Sequence, residues 1–194
     1  MIKLDNTINY IVSGLERSGT SLLMQILHAG GVPVAFDMAS RPPDDANPRG
    51  YFELEGGKVI SRLMDGTFPL ADYKGKFIKI TAYGLKFLPP GTYRIIYTER
   101  NIEEVMDSME KMARIRDEKR EDTKTSFIKL NEMVKRMIRA RKDVDVLFIN
   151  YNLIIEDPET QIRKICDHFC WGEADLDSMI SAVDKSLYRK RRTN

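Results

Sequence analysis

The chain has 194 residues, 42% hydrophobic and 31% charged, enough for one soluble domain with a substantial core. Thirty-one Lys and Arg against 29 Asp and Glu leave a net charge of +2, which removes the global positive field expected of a nucleic-acid binder. No apolar stretch approaches the length of a bilayer and the start "MIKLDNTINY" lacks the apolar core of a signal peptide, so a single cytoplasmic domain over residues 1–194 is expected.

Residues 9 to 13, "NYIVS", read as a first strand, after which "SLLMQILHAG" switches to helical periodicity and stops at Gly30 and Gly31. His28 falls in the last turn of that helix, facing its C-terminal dipole. Residues 35 to 50, "AFDMASRPPDDANPRG", are a long polar loop, and a helix is expected over about 53 to 65. Two strands, "KFIKITA" and "TYRIIYT", flank the turn-forming "LPPG". "NIEEVMDSMEKMARI" places Ile102, Val105, Met106 and Met109 on one helical face. The charged run "RIRDEKREDTK" reads as a solvated helix end or surface connection, and "FIKLNEMVKRMIRAR" as a further amphipathic helix. "VDVLFINY" is a strand, and "DPETQIRKICDHF" opens a helix with Pro158 near its first turn. Strands alternating with helices give an α/β domain of three layers around a mainly parallel sheet, where ligands bind beyond the carboxyl ends of strands.

Cys166, His168 and Cys170 lie close in sequence, but on a helix the histidine points away from the face shared by the cysteines, so they read as buried reduced thiols and not as metal ligands. A stronger signal is "GLERSGTSLL", residues 14 to 23. Gly14 and Gly19 satisfy G-x-x-x-x-G and Ser21 takes the Walker hydroxyl position, but Thr20 replaces the lysine. Backbone N–H groups of residues 17 to 21 would still face an anion at a helix N-terminus, with Arg17 as the nearby cation. The strand-terminal aspartate that helps hold Mg²⁺ is also missing: one strand ends in Glu99 and Arg100, another in Asn150, Tyr151 and Asn152. A sulfuryl group carries less charge than a phosphoryl group, so fixed cations and N–H donors can serve it without a metal.

On these segments the chain resembles the P-loop sulfotransferases that use 3′-phosphoadenosine 5′-phosphosulfate (PAPS), most closely small bacterial members. "GLERSGTSLLMQIL" is similar to the family's 5′-phosphosulfate loop, and "YTERNIEEVMDS" to its 3′-phosphate motif, in which Arg100 is followed by Ser108 eight positions on. "INYNLIIEDPETQIRKICDHF" resembles the stretch that brings a tyrosine near the adenosine. Glu16 departs from the family's usual proline.

The resemblance implies that Arg17, Ser18, Gly19, Thr20 and Ser21 hold the 5′-phosphosulfate, that Arg100 and Ser108 clamp the 3′-phosphate, and that Tyr151 packs near the adenosine. Lys79 and Arg17 would offset charge on the transferred group. Thr81 stands where some relatives carry a catalytic histidine, so a base is sought in "NPRGYFELE", with Glu53 first and Glu55 second. Burial would raise the basicity of such a carboxylate. Arg41, Asp44, Asp45 and Arg49 would cover the acceptor pocket, and the tail "LYRKRRTN" could add a phosphate contact.

The function so implied is sulfuryl transfer to a hydroxyl or amine of a small molecule, glycan or peptide, releasing 3′-phosphoadenosine 5′-phosphate (PAP), with no metal required and no nucleic-acid partner. Two alternatives stand beside it, a kinase or NTPase with a degenerate loop and a phosphoadenosine-binding protein without catalysis.

Overall fold

The computed structural model describes residues 2–37, 39, 42–44, 47–172 and 174–188. Strands β1 (Asn9–Gly14), β2 (Phe77–Lys79), β3 (Tyr93–Glu99) and β4 (Val144–Asn150) form one sheet, ordered β2-β1-β3-β4. All of its pairings are parallel, with Val12 opposite Ile96 and Gly14 opposite Thr98. Strand β1 lies inside the sheet and every residue in it is buried, the apolar run at 10–12 together with the polar Asn9 and Ser13. At the edge, β4 alternates and exposes Asp145 and Asn150.

Helices α1 (Thr20–Ala29), α2 (Val59–Met64), α3 (Ile102–Ala113), α4 (Arg120–Ala140), α5 (Tyr151–Glu156), α6 (Pro158–Phe169) and α7 (Leu176–Ser181) cover the sheet. Because side chains alternate along a strand, β1 feeds two cores. Tyr10 and Val12 pack with Leu23 and Leu27 of α1 and Ile162 and Ile165 of α6. Ile11 faces the other way, towards Ile78, Ile95, Val134 and Ile138, with Val59 and Leu63 of α2 in the same core. Each fully buried aliphatic side chain contributes about 1.5–3 kcal/mol, so this two-sided burial holds the strand ends in fixed relation.

Several expectations change at this level. The helix expected over 53 to 65 is broken: Glu55–Gly57 form a single 3₁₀ turn before α2 starts at Val59. Gly56 and Gly57 take φ of 61° and 87°, which no continuing right-handed helix permits. The strand expected to reach Tyr151 stops at Asn150, whose side chain accepts a hydrogen bond from the Leu153 N–H and starts α5. Asp157 caps α6 in the same way, with Pro158 in its first turn. Cys166 is buried against Met179, 3.9 Å away, and burial pushes its thiol pKa up. Cys170, expected to be buried too, is exposed because it lies beyond the helix as its left-handed cap. Among the described residues no cluster of His, Cys, Asp or Glu could hold a metal ion, and no helix is long and apolar enough to cross a membrane.

The charged run "RIRDEKREDTK" is more than a solvated connection, since its second half opens α4 and fastens it to α3. Arg120 meets Glu103 at 2.9 Å, Asp107 at 2.8 Å and Glu110 at 3.0 Å, and Lys124 meets Glu103 at 2.8 Å. Hydrogen bonds from Lys124 and then Arg120 hold the Glu103 carboxyl down at about 2, from an ordinary 4.5. A depressed carboxylate pKa stabilises above its unfolded value, and the contribution is lost as pH falls through the folded one. Arg120→Met is expected to cost about 1–2 kcal/mol at neutral pH, discounted for partial exposure. Chemical denaturation across pH should show the gap from wild type narrowing below about 4.5 and nearly closing towards 2.

Candidate active site

The carboxyl ends of the strands carry the residues singled out in the sequence. Between the end of β1 and the start of α1, the chain turns through Arg17 with φ 64° and Gly19 with φ 103°, both in the left-handed region. An arginine there costs roughly 1–3 kcal/mol of local strain, which surrounding contacts must hold. The Arg17 carbonyl accepts from Arg100 Nη1 at 3.0 Å, while the Arg17 side chain donates from Nε to Ser108 Oγ at 2.9 Å. Gly19 has no side chain with which to cap α1, so the first N–H groups of the helix remain for an anion. A Cβ at Gly19 would lie 2.2 Å from the Tyr151 ring, so loop and ring fit only with glycine between them.

Ser18 serves the loop itself. Its hydroxyl is buried, donates to the Leu15 carbonyl at 2.7 Å and shares a hydrogen bond with Thr98 Oγ1 at 2.7 Å. Its N–H is directed to the Leu15 carbonyl as well, at 3.2 Å. Arg17, Gly19, Thr20 and Ser21 instead line a cleft of about 450 Å³, together with Arg100, Ser108, Tyr151, Lys79 and Glu53. Glu16 is exposed at its rim.

Towards β2 the cleft holds a buried cation. Lys79, the last residue of that strand, has a side chain only 4% exposed; its ammonium donates to the Tyr51 carbonyl and to Ser21 Oγ at 3.3 Å and pairs with Glu53 Oε1 at 2.8 Å. The pair sets the Glu53 carboxylate against a fixed positive charge on the cleft wall. Glu55 pairs with Arg62 and is not on the cleft wall. Glu99, the other acid noted at a strand end, turns to Lys135 at 2.6 Å.

At the far end the Arg100 guanidinium lies 4.4 Å above the Tyr151 ring and pairs with Glu104 at 3.0 Å. Burial of the Tyr151 phenol raises its pKa. Glu104 is fully buried and also accepts from Asn152 Nδ2 at 3.1 Å and from the Tyr188 hydroxyl at 2.6 Å. Sequence reasoning assigned Glu104 no role, marked Asn152 only as a strand end and included Tyr188 only as part of the basic tail. The i,i+4 spacing of Arg100 and Glu104 was the one available signal. Burial first, then the bond to Glu104, pushes the Tyr188 phenol up to about 12. The neutral phenol is the bonded form, so its contribution is present below pH 10 and lost as pH rises towards 12. The ultraviolet phenolate titration of wild type minus Tyr188→Phe is expected to show a midpoint near 12, well above an ordinary 10.

Of the charged loop residues expected over the acceptor, Asp44 and Arg49 are described, and Asn47 and Pro48 of the same loop line the cleft. Asp44 accepts from the Tyr51 hydroxyl at 2.9 Å, and Arg49 reaches the Ala182 carbonyl at 2.7 Å and Asp184 at 3.0 Å. Arg41, Asp45 and the tail beyond Tyr188 lie outside the described residues.

Residues 8–194 match the family described as the sulfotransferase domain. The chain belongs to the sulfotransferase family. Its sulfotransferase fold recurs in the sulfotransferase domain of the Synechococcus PCC 7002 olefin synthase, at 15% identity and a TM-score of 0.57, covering 94% of this chain and 79% of that one. It recurs also in sulfotransferase STF1 from Mycobacterium tuberculosis H37Rv, at 16% identity and a TM-score of 0.60, covering 91% and 71%. At such identities the likeness is one of fold. A comparison with curated proteins gave no match.

Proposed function

We propose that this sulfotransferase-family protein, acting as one domain, takes PAPS as donor and moves its sulfuryl group to a hydroxyl on a neutral, largely apolar acceptor. The reading rests on one observation: a single cleft joins an uncapped helix N-terminus and two arginines at one end to a buried lysine-glutamate pair at the other.

The cleft's size suits a nucleotide-scale ligand, and its donor set suits two separated anionic groups. Thr20, Ser21 and Arg17 would hold the 5′ end, and Arg100 with Ser108 the 3′-phosphate, with Tyr151 beside the base. When bound, PAPS supplies a sulfuryl group on a phosphate leaving group. Lys79, fixed by Tyr51 and Ser21, offsets negative charge beside that group. Glu53, held by Lys79 through Oε1, would receive the acceptor's proton on its carboxylate. Leu54, Val59, Ile60 and Ile80 line the wall next to this pair, which favours an apolar acceptor body over an anionic one.

With radiolabelled donor, neutral phenols and alcohols are expected to take label in preference to carboxylated or sulfated sugars. Glu53→Gln is expected to lower kcat by about 10²-fold, the usual contribution of a positioned base. Label on anionic sugars alone would contradict the acceptor assignment, and an unchanged kcat would remove the role of Glu53.

A further inference from the structure

The Glu104 carboxylate sits where no ligand-contacting role is available to it, since its side chain is fully buried under Arg100, Asn152 and Tyr188. Ionised carboxylates are buried at a cost of several kcal/mol unless every lone pair finds a donor. Here the donors come from separate parts of the chain. Arg100 follows β3, Asn152 belongs to α5, and Tyr188 follows the last 3₁₀ turn, Lys185–Leu187.

We infer that Glu104 is a positioning residue for the nucleotide end of the cleft: it fixes one edge of the Arg100 guanidinium, and Tyr188 docks the C-terminal segment onto the same carboxylate. The inference rests on the donor assignment proposed above. With Nε on Glu104 at 3.0 Å and Nη1 on the Arg17 carbonyl at 3.0 Å, the guanidinium is held along two directions. Tyr151 supports its face at 4.4 Å, and Tyr188 approaches at 5.7 Å. A planar fork held in this way presents its remaining N–H groups in a fixed direction, which is what recognition of a phosphate requires. The same guanidinium donates to the carbonyl of Arg17, the residue at φ 64°. Tyr188 stands edge-on to Tyr151, with ring centres 5.7 Å apart, which places the C-terminal segment beside the expected adenosine position.

A role confined to folding would lower the affinity for all nucleotides alike, whereas a positioning role lowers it for the 3′-phosphorylated one. The test is calorimetric titration of wild type, Glu104→Gln and Tyr188→Phe with PAP and with adenosine 5′-monophosphate, with melting temperatures alongside. Tyr188→Phe removes one oxygen and keeps the ring, so it decides the matter even if Glu104→Gln does not fold. Both variants are expected to bind PAP about tenfold more weakly, the loss of a hydrogen bond to a charged group, with adenosine 5′-monophosphate changed less than about twofold. Variants that keep the wild-type preference for PAP, or lose both nucleotides equally, overturn the inference alone. Wild type without a preference for PAP overturns the donor assignment and this inference with it.

Discussion

Replacing Lys79 by methionine is expected to lower kcat by about 10²–10³-fold while changing the affinity for PAP by less than about threefold. A fixed charge aimed at the group being transferred is worth about 3–4 kcal/mol in a water-poor site, because it needs no reorganisation as charge develops. Lys79 has the required fixity, since the Tyr51 carbonyl, Ser21 Oγ and the Glu53 carboxylate all hold its ammonium at the end of β2. Methionine keeps length and apolar bulk but removes the charge, and PAP lacks the sulfuryl group beside which Lys79 is proposed to act. Loss of the lysine also leaves Glu53, 15% exposed, without this partner, so a stability loss of about 2 kcal/mol should accompany it. Single-turnover rates and product calorimetry separate the two effects. Unchanged turnover would remove Lys79 from the chemistry, and a large loss of PAP affinity would move its role to nucleotide binding.

Gly19→Ala is expected to abolish measurable PAP binding, a loss of more than about 10²-fold, and to destabilise the fold by about 3 kcal/mol. Two separate costs act at this position. The backbone has φ 103°, which a Cβ strains, and the added carbon would sit 2.2 Å from the Tyr151 ring. That ring cannot simply move away, because it is 9% exposed and carries the Arg100 guanidinium on its face. The loop must therefore deform, and it is the loop whose N–H groups are proposed to receive the 5′ end of the donor. Calorimetry and denaturant titration on the same sample test both parts, and near-wild-type affinity would show that the loop does not receive the nucleotide.

Local features of this fold were readable in the sequence, and contacts across long separations were not. The β1-loop-α1 unit announces itself through a short apolar run, two glycines five positions apart and a change to helical period. In α3 the expected apolar face is real, with Val105 and Met106 buried and Ile102 and Met109 half-buried. The break at Gly56 and Gly57, which take positive φ, falls inside the helix expected over about 53 to 65. The short helices α5 and α7 have six residues each, too few to show a period. The pairing of Lys79 with Glu53, and of Glu104 with Tyr188, depends on how β2, α3 and the C-terminal segment converge. No local pattern contains that information. Arg120 belongs with them, because its acidic partners lie on the preceding helix.

The cleft is proposed to recognise an adenosine nucleotide phosphorylated at both its 3′ and 5′ positions. Calorimetric titration with PAP and with ATP, each with and without Mg²⁺, tests it directly. Binding of PAP that does not depend on the metal, with little binding of ATP, is the expected result. Equal or stronger binding of Mg²⁺-ATP would contradict the claim and favour a phosphoryl-transfer site in this cleft.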